Sequence, residues 1–273
     1  MAKIDRLGWA DGMSLNSYGV RVGLRVNDSA ILPELIARLP PGSKPASFGV
    51  VDHLYSIIGS EAKLDSKVRH FSLGYWNLFR FARGRDFTTV LDAFESHVQL
   101  TVAEYAPRRV FVHAGVVGWK DRAILIPGLS HSGKTTLVEQ LIRAGAIYYS
   151  DEYAVLDAHG LVHPYPRAMG MRSPKSDASK KVRAEEIGAK VGTKPLRVGL
   201  VLATKYKDGA RWRPRQGTRG RGVLELLSNT VSARSQPEMA LTILPLALES
   251  ARILRGVRGE AAEIVDRILG QVT

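Results

Sequence analysis

The chain has 273 residues, 45% of them hydrophobic, enough for one large core or two modest ones. It contains no cysteine, which excludes disulfides, thiolate zinc sites and cysteine nucleophiles and is compatible with a cytoplasmic setting. Lysine and arginine outnumber aspartate and glutamate by 39 to 26, a formal charge of +13 that favours anionic partners such as nucleotides, nucleic acid or an acidic protein or peptide.

The opening segment MAKIDRLGWADGMSLNSYG lacks the apolar centre of a signal peptide. The greasiest run, MALTILPLALES, is interrupted by Pro245 and too short to span a bilayer, so no membrane association is expected. In the first third, SYGVRVGLRV alternates as a strand does, SAILPELIARLP suits a short helix, and SFGVVDHLYSIIG and VRHFSLGYWNLFRFARG read as further strands. The aromatic residues Tyr75, Trp76, Phe79 and Phe81 mix both strand faces and read as packing, not as a base-stacking platform. Phe87, Val90, Leu91, Phe94, Val98 and Val102 then share one helical face, with Asp86 placed to cap the helix and Pro107 to close it. A boundary there gives an α+β module over residues 1–107 and a second domain over 108–273.

The second domain opens with RRVFVHAGVVGW and RAILIPG, a hairpin around Lys120 and Asp121 whose second strand runs into GLSHSGKTT, Gly128 to Thr136. This matches the phosphate-loop pattern G-x-x-x-x-G-K-[ST]. Glycines at 128 and 133 let successive backbone N–H groups converge on an anion, and the helix that follows points its positive end at the phosphates. The cradle runs from Gly128 through Ser130, His131, Ser132 and Gly133 to Thr136. Lys134 is placed for the β- and γ-phosphates of ATP and the Thr135 hydroxyl for Mg²⁺. The helix TTLVEQLIRAG ends at Gly145, and IYYSDEYAVLD follows as one strand carrying Asp151 and Glu152. An acidic pair so soon after the loop does not fit a large motor ATPase. One carboxylate can hold Mg²⁺ while the other accepts a proton from a substrate hydroxyl; a solvated pair where a strand emerges is the plainer alternative.

Beyond the acidic strand, SPKSDASKKVRAEEIGAKVGTK is polar and reads as a mobile loop or a short exposed helix. LRVGLVLATKY is a buried strand, RWRPRQGTRGRG a basic loop, and the remainder from Val223 mainly helical. The arginines of that loop, Arg219 and Arg221 among them, suit either a lid that neutralises charge on the transferred group or a solvated surface. Trp212 between arginines also permits a nucleic-acid contact, which no accompanying signature supports.

The stretch FVHAGVVGWKDRAILIPGLSHSGKTTLVEQLIRAGAIYYSDEYAVL resembles the nucleotide-binding domain of HPr kinase/phosphorylase, related in fold to ATP-dependent phosphoenolpyruvate carboxykinases. The resemblance covers roughly residues 110 to 157 and implies an α/β fold of that type behind the smaller α+β module. It matches His113 to the family histidine, Ser130 to the loop serine, Lys134 and Thr135 to the lysine and metal-binding hydroxyl, and Asp151 and Glu152 to the acidic pair. His131 stands where the family has a loop glycine, Thr136 where it has a glutamate, and Glu152 where it has a second aspartate, while PRAMGM echoes an R-G-x-G segment.

The resemblance implies a Mg²⁺-dependent kinase that moves the ATP γ-phosphoryl group to a serine of a small protein or peptide, an acidic one suiting the charge. Asp151 is then the base, Glu152 and Thr135 metal ligands, and His113 an imidazole near the reacting groups; by itself His113 also reads as a hydrogen-bonded core residue. A small-molecule kinase, a non-catalytic ATP-binding regulator and a nucleic-acid-dependent ATPase are the rivals, the last resting on charge alone. A homo-oligomer is compatible with all of these.

Overall fold

The computed structural model describes residues 3–59, 70–128, 133–173 and 176–272, with the backbone alone considered over 171–180. The chain is mixed α/β and divides into two compact units, Met1–Arg108 and Arg109–Thr273.

In the first unit, β1 (Asp11–Ser17) and β2 (Val20–Val26) form a hairpin. Its turn is made by Tyr18 and Gly19 at φ 52° and 93°, the two positive dihedrals that match strand twist. A single strand starting at Ser17 is therefore corrected to two; β1 shows only Met13 and Leu15 as apolar alternates and carries a weak pattern. A short helix α1 (Leu32–Ile36), β3 (Lys44–Pro45) and β4 (His53–Ile58) follow, then the hairpin of β5 (Ser72–Trp76) and β6 (Phe79–Gly84). The sheet order is β3-β1-β2-β4-β5-β6. Helix α2 (Phe87–Tyr105) is capped by the Asp86 carboxylate, which accepts from Thr88 N, and buries Val90, Leu91, Phe94, Val98 and Val102. Their three- and four-residue spacing is one apolar stripe, and it packs against β5 and β6.

The second unit is built on an eight-stranded sheet. β7 (Val110–Trp119) and β8 (Arg122–Pro127) are joined by Lys120 and Asp121, both at positive φ. Helix α3 (Lys134–Arg143) follows, then β9 (Ile147–Ser150), β10 (Tyr153–Leu156) and β11 (Val162–His163). β12 (Met169–Ser173) and β13 (Ser176–Val182) make a separate two-stranded ribbon. β14 (Arg197–Tyr206), β15 (Arg215–Gln216), α4 (Arg219–Leu227), α5 (Pro237–Ala247), β16 (Arg252–Arg258) and α6 (Val265–Leu269) complete the chain. The main path is β11-β10-β7-β8-β14-β16-β15, with β9 also on β7; β14 lies parallel to both β8 and β16.

Neighbouring strand residues point to opposite faces, and the two cores follow that alternation. Ile124, Leu200 and Leu254 pack with Leu137 and Leu141 of α3 and Ile268 of α6. Leu125, Val201 and Ile253 pack on the other face with Leu226 of α4 and Ile243 and Leu244 of α5. The layering sets the phosphate-loop segment at the C-terminal end of a fully covered strand, where α/β sheets place their ligands.

Four sequence readings are corrected. The acidic strand breaks at Asp151 and Glu152 into β9 and β10. Both halves pair with β7. The polar stretch from Ser173 forms β13, paired with β12, and a 3-10 turn at Ala184–Ile187, because backbone pairing does not need an apolar pattern. The basic loop contains β15 and the first turn of α4, whose N-terminus is capped by Thr218 accepting from Arg221 N. The tail contains β16, a strand with neighbours on both sides; RILRGVR has the charge of an exposed segment, so its burial was not readable from composition.

Candidate active site

α3 begins at Lys134, immediately after Gly133, whose φ of 82° is left-handed. The dihedral favours glycine here, and a Cβ, 2.6 Å from Arg258 Nη2, would also displace that guanidinium. Gly115 on β7 serves the same helix from below: a Cβ would stand 2.6 Å from Val138 Cγ2 of α3. Lys134 Nζ donates to the Gly128 carbonyl at 2.7 Å, drawing together the two ends of the loop. Burial pulls its pKa down, while Glu152 and Asp151 act in the opposite direction. Ser130, His131 and Ser132 lie outside the described residues, and Thr136 is exposed on the first turn of α3.

The next residue reaches the acidic corner. Thr135 Oγ1 donates to Asp151 Oδ2 at 3.3 Å. Asp151 is buried, with its Oδ1 3.0 Å from the Tyr148 hydroxyl, which is also 2.9 Å from the Arg167 carbonyl. A phenol has one proton to donate, so an ionised Asp151 and the carbonyl compete for it. Burial raises the Asp151 pKa above its ordinary value; the bond from Tyr148 opposes that shift and the charge of Glu152 adds to it.

Glu152 faces the other way. Its Oε1 is 3.6 Å from His113 Nδ1, and the imidazole tilts over the Tyr153 ring at 4.7 Å. Burial, reinforced by Lys134, lowers the His113 pKa and favours the neutral ring at pH 7. The His113 backbone is held on both sides: its N–H donates to the Asn229 carbonyl at 2.7 Å and its carbonyl accepts from Gly128 N at 3.2 Å. The sequence paired Thr135 with Glu152; the geometry sets Thr135 beside Asp151 and Glu152 beside His113. The break between β9 and β10 gives the two adjacent carboxylates these separate surroundings.

The arginine segment divides. Arg219 Nη2 donates to the Pro245 carbonyl at 2.6 Å, one of the last carbonyls of α5 that has no helical partner. Arg221 lines a cavity of about 1020 Å³ at the C-terminal ends of β8, β14 and β16, where Gly128 forms part of the wall.

Two residues beside the site carried no sequence signal. Tyr148 is one of two consecutive tyrosines in a strand. Arg258, at the end of β16, is buried and donates from Nη2 to the Gly133 carbonyl at 2.9 Å and from Nη1 to the Gly259 carbonyl at 3.0 Å. Among the described residues its Nε has no hydrogen-bond partner. Burial lowers its pKa, against the charge of Glu260.

A hydroxyl and a carboxylate oxygen side by side at a helix N-terminus are the hard donors Mg²⁺ takes beside phosphate oxygens, so Thr135 and Asp151 fit a magnesium nucleotide. Among the described residues no cluster of three or more His, Asp or Glu side chains is built to hold a metal alone. No helix among the described residues is long and apolar enough to cross a membrane.

No family model matches the chain, and no curated protein matches it. Among solved structures, the HPr(Ser) kinase/phosphatase from Coxiella burnetii aligns over 59% of this chain and 92% of its own, at 12% identity and a TM-score of 0.33. Agreement at that level defines neither the fold nor the activity of this chain.

Proposed function

We propose that the second unit is an ATP- and Mg²⁺-dependent phosphotransferase that moves the γ-phosphoryl group to a hydroxyl. The observation that carries this reading is the contact of Thr135 with Asp151 at the start of α3, beside Lys134. It joins the phosphate-loop hydroxyl to a buried carboxylate from another element, and a glycine turn with an incidental lysine has no need of that contact.

Lys134 and the loop amides hold the phosphates, and Thr135 with Asp151 holds the cation side. Bound Mg²⁺ supplies charge neutralisation on the transferring group. Glu152, half-exposed beside neutral His113, takes the proton of the acceptor hydroxyl; this exchanges the two carboxylates relative to the roles expected from sequence. The acceptor oxygen forms its bond to the γ-phosphorus as the bond to the β–γ bridging oxygen breaks, with that electron pair leaving on ADP. A serine of a small protein or peptide and a small molecule both meet the chemistry of this corner.

The test separates binding from transfer. Lys134→Ala is expected to weaken binding of a non-hydrolysable ATP analogue, and Asp151→Asn to raise the Mg²⁺ concentration required for it. Glu152→Gln is expected to bind normally yet lose about 10²- to 10⁴-fold of label transfer from γ-labelled ATP into a lysate of source cells, the usual contribution of a positioned base. Unchanged analogue affinity in Lys134→Ala overturns the reading.

A further inference from the structure

The cavity at the C-terminal ends of β8, β14 and β16 lies beside the phosphate loop and shares Gly128 with it. Four cationic side chains line it, Lys205, Arg215, Arg221 and Arg255, against a single carboxylate, Glu225. Arg255 reaches Glu225 at 4.0 Å, and among the described residues Lys205, Arg215 and Arg221 have no carboxylate within ion-pair distance. Like charges gathered around one concave space repel, and an anion in that space removes the cost. Thr204 also lines the cavity.

Position connects the cavity to the reacting centre. Gly128 is part of its wall and accepts the Lys134 ammonium. Asn229, another wall residue, accepts the His113 N–H. A ligand seated against Lys205, Arg215 and Arg221 therefore has the first loop glycine at its border. The volume, about 1020 Å³, is at the upper end of small-molecule sites.

We propose that this cavity binds the phosphoryl acceptor, and that the acceptor is a small hydroxyl compound carrying a carboxylate or phosphate group. The arginines and lysine hold the anionic group while the hydroxyl is turned toward the phosphate loop at Gly128. This inference rests on the phosphotransferase reading for the word acceptor; the anion site itself does not.

Calorimetry on the full chain saturated with Mg²⁺ and a non-hydrolysable ATP analogue tests it, with glycerol 3-phosphate as the small hydroxyl-bearing probe and an acidic serine-containing peptide as the second ligand. Glycerol 3-phosphate is expected to bind the analogue-loaded protein, and Lys205→Gln combined with Arg215→Gln to weaken it at least tenfold while analogue affinity changes less than twofold. Both side chains are exposed, so the pair is expected to fold as wild type, with a melting curve as the check. Competition between probe and analogue, with analogue affinity lost in the double variant, would make the cavity part of the nucleotide site and overturn the proposal. Binding of the peptide but not of glycerol 3-phosphate overturns it in favour of a docking groove, and binding of neither removes it. Lys134→Ala separates the two readings: loss of analogue binding with retention of the probe leaves both standing, whereas undiminished analogue binding ends the phosphotransferase reading without touching the anion site.

Discussion

The guanidinium of Arg258 donates to the carbonyl of Gly133 at 2.9 Å, across 125 residues of sequence. Gly133 is the last residue before α3, and its carbonyl also accepts from Leu137 N at 3.2 Å inside the helix. The contact brings a buried positive charge to the positive end of a helix, an arrangement that an anion stabilises. Arg258 therefore braces Gly133 and, on the proposed reading, adds positive charge where the phosphates would sit.

Arg258→Lys keeps the charge but shortens the reach and removes the fork. A charge-assisted hydrogen bond is worth about 1.5–3 kcal/mol, so affinity for an ATP analogue is expected to fall about tenfold or more, with a lower melting temperature. Unchanged affinity and melting would show that the loop keeps its shape without this bond.

Asp151 is expected to be a destabilising residue in the nucleotide-free protein. Its pKa is raised by burial, so as pH climbs from the unfolded carboxyl pKa toward the folded one, the unfolded chain loses its proton first and stability falls. Above the folded pKa the penalty is constant. Asp151→Asn is accordingly expected to melt higher at pH 7 by about 2–4 °C, the shift that ~1 kcal/mol makes in a chain of this size. The same variant is expected to lose transfer, a stability gain at the expense of function. A lower melting temperature at pH 7 would contradict this.

The pH profile of transfer is expected to have an acid limb. Burial drives His113 below its ordinary value and Asp151 above its own. The proposed transfer requires His113 neutral and Asp151 ionised, so its rate is expected to fall as acid protonates Asp151. A rate that holds steady on acidification until the protein unfolds would contradict this.

Gly115→Ala is expected to loosen α3 from the sheet. The new methyl meets Val138 Cγ2 at 2.6 Å in a packed core, and overpacking of this kind costs about 1–3 kcal/mol. Denaturant melts of wild type and variant measure it, and equal midpoints would show that Val138 can turn aside.

The elements with a strong local pattern were legible. The helix over Phe87–Tyr105 follows from its apolar spacing and its Asp86 cap, and the β7–β8 hairpin from two apolar runs around a two-residue turn. The approach of Thr135 to an acidic residue was foreseeable from one short helix between them, although which of the two was not. β16 and the β12–β13 ribbon were missed because their residues are charged or polar. What buries β16 is the helices and strands on either side of it, which its own seven residues do not reveal.

Sequence by itself determined the residues of the phosphate loop, the brevity of the link to Asp151 and Glu152, and the surplus of positive charge, because each is a matter of identity and spacing along the chain. Tertiary structure alone decided that Asp151 meets Thr135 while Glu152 meets His113, that Arg258 braces Gly133, and that four cations enclose one cavity. Those facts depend on the order in which strands pair across the sheet, and pairing between distant segments is set by the packing of whole layers rather than by any local run of residues.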